Sequence, residues 1–254
     1  MANAELFRQM LSQYPDYNFF MAPHVLEMMF NVEDLALSFS ESSSGLKYFD
    51  GVYFIPPFTS QNDVTDVVWM DYEGYVGKGE KKFADFEYIY NPVDIINMKG
   101  RKYHVFRHNI NKFREKNYQI EYREGSKDDI HEIGEKWLIG QHRTKKDMPV
   151  ESWIFFAEDF LNGKVLYLDG EPVAFNLWDI GLKYVHFMVN CSDPDIEFLN
   201  EYSRYLFYLD ISTRYPNMLV NDGGTLGSEG LRRYKNKLNP VAIRSRYSWG
   251  LNNE

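Results

Sequence analysis

The segment from Met218 to Tyr247 constrains the fold more than any other, because four backbone instructions follow one another in a single run. Met218, Leu219 and Val220 form a short apolar run that ends at Asn221 and Asp222. Gly223 and Gly224 come next, then a loop, then a helical run from Ser228 to Leu238. Asn239-Pro240 stops the helix, and Val241, Ile243, Arg244, Arg246 and Tyr247 alternate as a closing strand. The pattern predicts a strand, a glycine-rich loop, a basic helix and a strand.

Gly223, Gly224 and Gly227 allow a ligand close to the backbone, and a helix N-terminus just after them favours an anion. Arg232, Arg233, Lys235 and Lys237 lie on the helix and Arg244 and Arg246 on the strand, with no acid between Glu229 and Glu254. An ordinary solvated helix face explains such a run equally well. The glycine spacing matches neither a Walker loop nor a dinucleotide fingerprint, and Gly-Ser-Glu-Gly is not a nucleophile elbow.

A second basic helix is expected from about residue 100 to 116. Tyr103, Phe106, Ile110 and Phe113 recur at intervals of three and four, which marks one buried face. Lys99, Arg101, Lys102, Arg107, Lys112, Arg114 and Lys116 surround that face. These seven and the six cations of the C-terminal run are a large share of the 28 Lys and Arg in a chain of net charge −9. That concentration favours both faces meeting at one anionic ligand.

The remaining pattern orders the chain. Residues 5–30 read as helix, proline turn and helix. Strands are expected at Leu35–Ser40, Lys47–Ile55, Val67–Tyr75 and Phe86–Tyr90. A new unit opens near Tyr118 with a strand to Arg123 and a helix over Asp128–Gln141; Trp153–Leu161 suits another helix. Strands follow at Lys164–Asp169, Val173–Trp178 and Tyr184–Val189, joined by turns at Gly170-Glu171 and Gly181. A long helix spans Asp195–Arg214, with Tyr202, Tyr205, Phe207 and Tyr208 read as core packing.

Two blocks carry a resemblance. One is Asn221-Asp222-Gly223-Gly224, Leu226 to Arg232, Tyr234-Lys235 and Asn239-Pro240-Val241; the other is Lys99 to His104 with Arg107 to Phe113. Together they resemble the phosphatidylglycerol lysyltransferase C-terminal-domain family, of the GNAT-like clan that includes the Fem-type aminoacyltransferases. The resemblance implies an α+β fold: a GNAT-like mixed sheet flanked by helices, with two tandem GNAT-like lobes. By this analogy residues 1–117 form a degenerate N-terminal lobe ending in the basic helix, and residues 118–254 the lobe with the donor site.

The implied activity is acyltransferase chemistry, in which an aminoacyl or acyl group moves from aminoacyl-tRNA or acyl-CoA to an amine- or hydroxyl-bearing acceptor. No tightly bound cofactor is expected. The motif assigns Lys235 to the donor's anionic part or to the developing oxyanion, with Arg233 assisting. Asp222, at a strand end, is the candidate base or amine anchor, and Tyr234 or Tyr247 the proton donor to the leaving group. Gly223, Gly224, Gly227, Arg232, Arg233, Lys237, Arg101, Lys102 and Arg107 are the candidate donor and phosphate contacts. In a splayed sheet, N–H groups near Val189–Cys191 would face the oxyanion. Glu229 reads as a first-turn helix residue. One departure bears on the donor: CoA-using GNAT enzymes carry a glycine-rich loop where this chain has Asn190 to Asp195, with no glycine and two acids. That disfavours acyl-CoA and favours a tRNA-like donor.

Composition sets the outer bounds. Hydrophobic residues at 44% and charged residues at 26% describe a globular domain. No apolar run approaches the roughly 20 residues of a membrane span, and the first residues lack a signal-peptide core. A cytoplasmic location follows as the expectation, with peripheral membrane contact left open. Cys191 is the single cysteine, so no internal disulfide forms. His104 and His108 have metal-ligand spacing, but their helix is cationic; no metal is expected. His186 reads as a core histidine. Two other function classes remain: a CoA-dependent N-acetyltransferase of a small molecule or modified base, and a non-catalytic module binding RNA or another polyanion.

Overall fold

Eight strands share one mixed sheet in the computed structural model, which describes residues 69–72, 80–140, 162–225 and 227–250. In chain order the elements are β1 (Trp69–Tyr72), β2 (Glu80–Tyr90), α1 (Pro92–Asn97), a 3-10 turn (Arg101–Tyr103) and α2 (His104–Arg114). Next come β3 (Ile120–Arg123), α3 (Lys127–Gly140), β4 (Asn162–Leu168), β5 (Glu171–Ile180) and β6 (Tyr184–Ser192). The chain continues through α4 (Leu199–Arg214), β7 (Leu219–Asn221), α5 (Glu229–Lys237) and β8 (Ala242–Gly250). The spatial strand order is β1-β8-β2-β7-β6-β5-β4-β3. This is the α+β class with a mixed sheet flanked by helices that the sequence predicts. The expected elements at 5–30, 35–40, 47–55 and 153–161 lie outside the described residues.

The C-terminal half follows the expected order, and β7 lies parallel to β6 with Tyr184, Val185 and His186 opposite Leu219, Val220 and Asn221. Strand β8 is inserted between β1 and β2, antiparallel to both, so strands from both sides of residue 117 share the sheet. Helix α4 starts at Leu199, later than the expected Asp195. Phe198 sits in the left-handed region (φ 66), which helical residues cannot adopt, and residues 193–198 form turns instead. Val93–Met98, an apolar piece in the sequence, becomes α1: Asn91 caps it by accepting from the Val93 N–H (3.0 Å), and Pro92 occupies its first turn.

Strand pleating divides the sheet into two faces. Val185, Phe187, Val220, Tyr88 and Tyr90 point to the face that packs on α4, where Phe207, Tyr208 and Ile211 complete the core. The Phe187 and Phe207 rings stack with centroids 3.8 Å apart. Glu87, His186 and Asn221 alternate with these residues and lie on the other face, all fully buried.

Candidate functional site

The pairing between β6 and β7 ends at His186 and Asn221, yet β6 runs on to Ser192. From Phe187 onward its β7-side edge is open. The opening begins two residues before the Val189–Cys191 stretch expected from sequence. A bulge lies at the same place: Trp178 pairs with Phe187 and Leu177 with Val189, so Met188 is an extra residue without a β5 partner. Such a bulge bends the strand and raises its twist. Two parallel strands that stop pairing next to a bulge leave a cleft at their C-terminal ends, where α/β sheets place ligands.

The chain after β7 forms the other wall. The Asp222 N–H donates to the Tyr88 carbonyl (2.9 Å), and the Tyr88 N–H to the Gly223 carbonyl (3.2 Å), which fixes this wall to β2. The Asp85 carboxylate takes the Thr225 N–H (2.7 Å) and the Thr225 hydroxyl (3.1 Å). A Cβ on residue 224 would stand 2.3 Å from Asp85 Oδ2, so only glycine fits there. Gly223 has φ 59, a second reason for glycine.

Asp222 directly follows the last residue of β7 and is 6% exposed. Its Oδ2 accepts from the Arg204 guanidinium, which α4 delivers from the sheet-facing side at 5% exposure. Arg204 also lies against the Phe187 ring (4.8 Å to the centroid) and the Tyr234 ring (5.4 Å). One side chain thus ties β6, the end of β7 and α5 across the cleft. Burial acts against its charge, but Asp222 and the neighbouring tyrosines overcome it and raise its affinity for the proton. Burial drives the Tyr234 hydroxyl well above the ordinary range, with Arg204 pulling the other way.

Lys235 enters from α5, whose N-cap Ser228 accepts from the Leu231 N–H (3.3 Å). At 4% exposure its ammonium donates to the carbonyls of Asp222 and Gly224 (2.7 Å), with the Gly223 carbonyl at 3.4 Å and Asp222 Oδ1 at 3.5 Å. Burial lowers its proton affinity, and Asp222 restores part of it. Tyr90 donates its hydroxyl to the Lys235 carbonyl (2.8 Å), which anchors α5 to β2.

The structure therefore brings Asp222, Gly223, Gly224, Tyr234 and Lys235 into one cluster, in which Asp222, Gly223 and Lys235 are buried and Gly224 and Tyr234 half-buried. Arg232, Arg233 and Lys237 lie on the exposed side of the same helix, and Glu229 on its first turn pairs with Arg232 (3.5 Å) and Arg233 (3.9 Å). Gly227 has φ 75 and open space around it. Arg101 and Lys102 are exposed, and their turn touches the end of α5 through one residue: the Asn239 amide donates to the carbonyls of Lys102 (3.2 Å) and Lys237 (2.9 Å). Arg107 turns away and donates to the Met98 carbonyl. The far end of α2 is engaged elsewhere, with Arg114 over the Tyr205 ring (5.0 Å) and Lys116 on the Glu197 carbonyl (3.2 Å). The Tyr247 ring meets Phe83 edge-on (6.1 Å). Among the described residues, no group of acids, histidines and cysteine is arranged to hold a metal, and no helix is long and apolar enough to cross a membrane.

Sequence reasoning missed Arg204. A signal was present: it stands three, four and seven residues before Phe207, Tyr208 and Ile211, a cation on the buried stripe of an otherwise apolar helix face.

The comparisons with known proteins bear on the family and the fold. Residues 74–193, just under half of the chain, match the family described as phosphatidylglycerol lysyltransferase, C-terminal. This is the family that the sequence resembles; the block at residues 99–113 falls inside the match and the block at 221–241 beyond it. No curated protein matches the chain. A conserved protein of unknown function from Bacteroides thetaiotaomicron superposes with a TM-score of 0.79 at 20% identity, over 99% of this chain and 97% of that one. The C-terminal domain of a putative lysylphosphatidylglycerol synthetase from Agrobacterium fabrum gives 0.67 at 13% identity, over 99% and 92%. The L-PGS of Bacillus licheniformis gives 0.64 at 15% identity, over 98% and 92%. These likenesses show a shared fold.

Proposed function

We propose that this chain, related over residues 74–193 to the phosphatidylglycerol lysyltransferase C-terminal family, moves an aminoacyl group from aminoacyl-tRNA to an amine- or hydroxyl-bearing acceptor. The observation that carries the reading is the opening of the β6–β7 pair at a bulge, with a buried carboxylate directly after β7 and two cations against it. The acceptor attacks the ester carbonyl, charge gathers on its oxygen, and the ribose hydroxyl leaves with a proton.

Asp222 suits an amine anchor better than a base. Its carboxylate is already held in place by the Arg204 guanidinium, which suits a fixed anchor. Oδ2 is taken by Arg204, whereas Oδ1 has, among the described residues, the 3.5 Å contact with Lys235 and can receive the donor's α-ammonium. Tyr234, half-buried beside Arg204, is the proton donor to the leaving oxygen. The open edge of β6 at Met188 supplies the N–H side of the oxyanion site. The Gly223 and Thr225 N–H groups are bonded to Asn221 Oδ1 (2.9 Å) and Asp85, so phosphate contacts fall to exposed side chains: Arg101, Lys102, Arg232, Arg233 and Lys237. Acyl-CoA fits less well, because Asp193, Asp195 and Glu197 crowd the approach to α4 with negative charge.

The test is transfer of labelled amino acids from a charged tRNA pool, with phosphatidylglycerol vesicles and small amines as acceptors and acetyl-CoA as the competing donor. RNase-sensitive product supports the reading. Product from acetyl-CoA alone would make the chain an N-acetyltransferase. Salt-sensitive RNA binding with no product from any donor would make it a binding module.

A further inference from the structure

The group around Lys235 has the form of a cation site. The carbonyls of Asp222 and Gly224 converge on one point with Asp222 Oδ1, and the Gly223 carbonyl between them, which also accepts from the Tyr88 N–H, lies 3.4 Å from it. Oxygen ligands of this kind, backbone carbonyls and a carboxylate, are what a bound hard cation collects. Here the point is filled by the Lys235 ammonium, a compact charge with three donors and no acceptor. Turning the Asp222 and Gly224 carbonyls inward turns the N–H groups that follow them outward, and these, of Gly223 and Thr225, are caught by Asn221 and Asp85. The path is sterically demanding, since it needs glycine at 223 and 224.

We propose that Lys235 is a positioning residue: a built-in cation that sets the path of the 222–225 loop and thereby fixes Asp222 against Arg204. The role of the loop as a wall of the transfer cleft rests on the reading above; the cation site itself does not. Its donors are engaged on the loop, so Lys235 reaches neither the donor's phosphates nor the acceptor. A guanidinium is too broad and flat to take this place among the carbonyls, and arginine is no substitute.

Lys235→Ala leaves the Asp222 and Gly224 carbonyls without the ammonium but leaves a hole that a small cation can enter. Its melting temperature is expected to fall by about 5–10 °C in choline chloride. Ammonium or methylammonium chloride at equal ionic strength should recover part of that loss saturably. Transfer should drop on the order of 100-fold in kcat with little change in KM, because a displaced anchor costs orientation, and ammonium should restore it in parallel. Lys235→Arg should remain impaired and unresponsive to ammonium. A melting temperature equal to wild type, or lost transfer with no response of either property to ammonium, would overturn the proposal.

If Lys235→Ala does not fold, the wild type supplies the readout. Lysine-selective 15N spectra should contain one slowly exchanging ammonium signal at neutral pH, absent in Lys235→Arg. Only fast-exchanging lysine signals would overturn the proposal. A wild type that shows this signal yet transfers nothing from any donor would remove the transfer reading and leave the cation site standing.

Discussion

Helix α5 carries two kinds of cation, and they do opposite work. Lys235 points inward, is 4% exposed and makes its contacts with Asp222 and the glycine loop. Arg232, Arg233 and Lys237 point outward from the same turns and, among the described residues, have at most the exposed Glu229 as an ionic partner. One basic run in the sequence is therefore two systems. The inner one sets geometry, in a medium where removing a single partner is costly and salt is nearly irrelevant. The outer one can only steer and hold a polyanion, weakly per residue and with strong salt dependence.

The widest gap between the two systems should appear on deleting their acids. Asp222→Ala leaves Arg204 and Lys235 buried without their carboxylate, and urea unfolding should show a loss of about 3–5 kcal/mol. Glu229→Ala, which breaks only exposed pairs, should stay within about 0.5 kcal/mol of wild type. Equal losses would erase the distinction between inner and outer charge.

A smaller effect tests how dry the sheet is at the opening. Burial lowers the His186 pKa from 6.5 to about 4, against a weaker pull from Asp179. The folded value lies below the unfolded one, so the unfolded chain binds the proton more readily. Stability is full above about pH 6.5 and falls as pH drops toward 4, by roughly 3 kcal/mol in all. Urea midpoints measured against pH should show this slope, and His186→Gln should flatten it.

On the outer system, replacing Arg232, Arg233 and Lys237 together by serine should weaken binding of single-stranded RNA about tenfold at moderate salt. The log–log salt slope should shrink by roughly 0.7 for each phosphate that is no longer neutralised, with the melting temperature unchanged. An unchanged slope would take these residues out of the donor path. Ser228→Ala, which removes the α5 cap, should cost about 1 kcal/mol by denaturation.

What the sequence revealed was local. Asp222, Gly223, Gly224, Tyr234 and Lys235 sit on one strand–loop–helix unit, so their grouping was legible from the local pattern together with the family resemblance. The element order from β3 to β8 was equally legible, because turn signals and periodicity act over a few residues. What stayed hidden was set at long range. Arg204 reaches Asp222 from another helix, and the Met188 bulge exists only in the register between β5 and β6. The extension of β2 back to Glu80 and the insertion of β8 beside β1 depend on pairing partners far away in the chain. The basic run also could not show which cations turn inward; tertiary packing of Tyr234 and Leu238 decides that.

The proposed function stands or falls on whether transfer occurs at the opening beside Asp222. A single-turnover assay decides it, with labelled, charged tRNA and mixed amine and phosphatidylglycerol acceptors, comparing wild type with Asp222→Asn. That substitution keeps the shape of the side chain and removes its charge. The wild type should give RNase-sensitive product, and Asp222→Asn should lose on the order of 100-fold, with the RNA still bound through the outer cations. Wild-type rates in Asp222→Asn would contradict this and move the chemistry away from the β6–β7 opening.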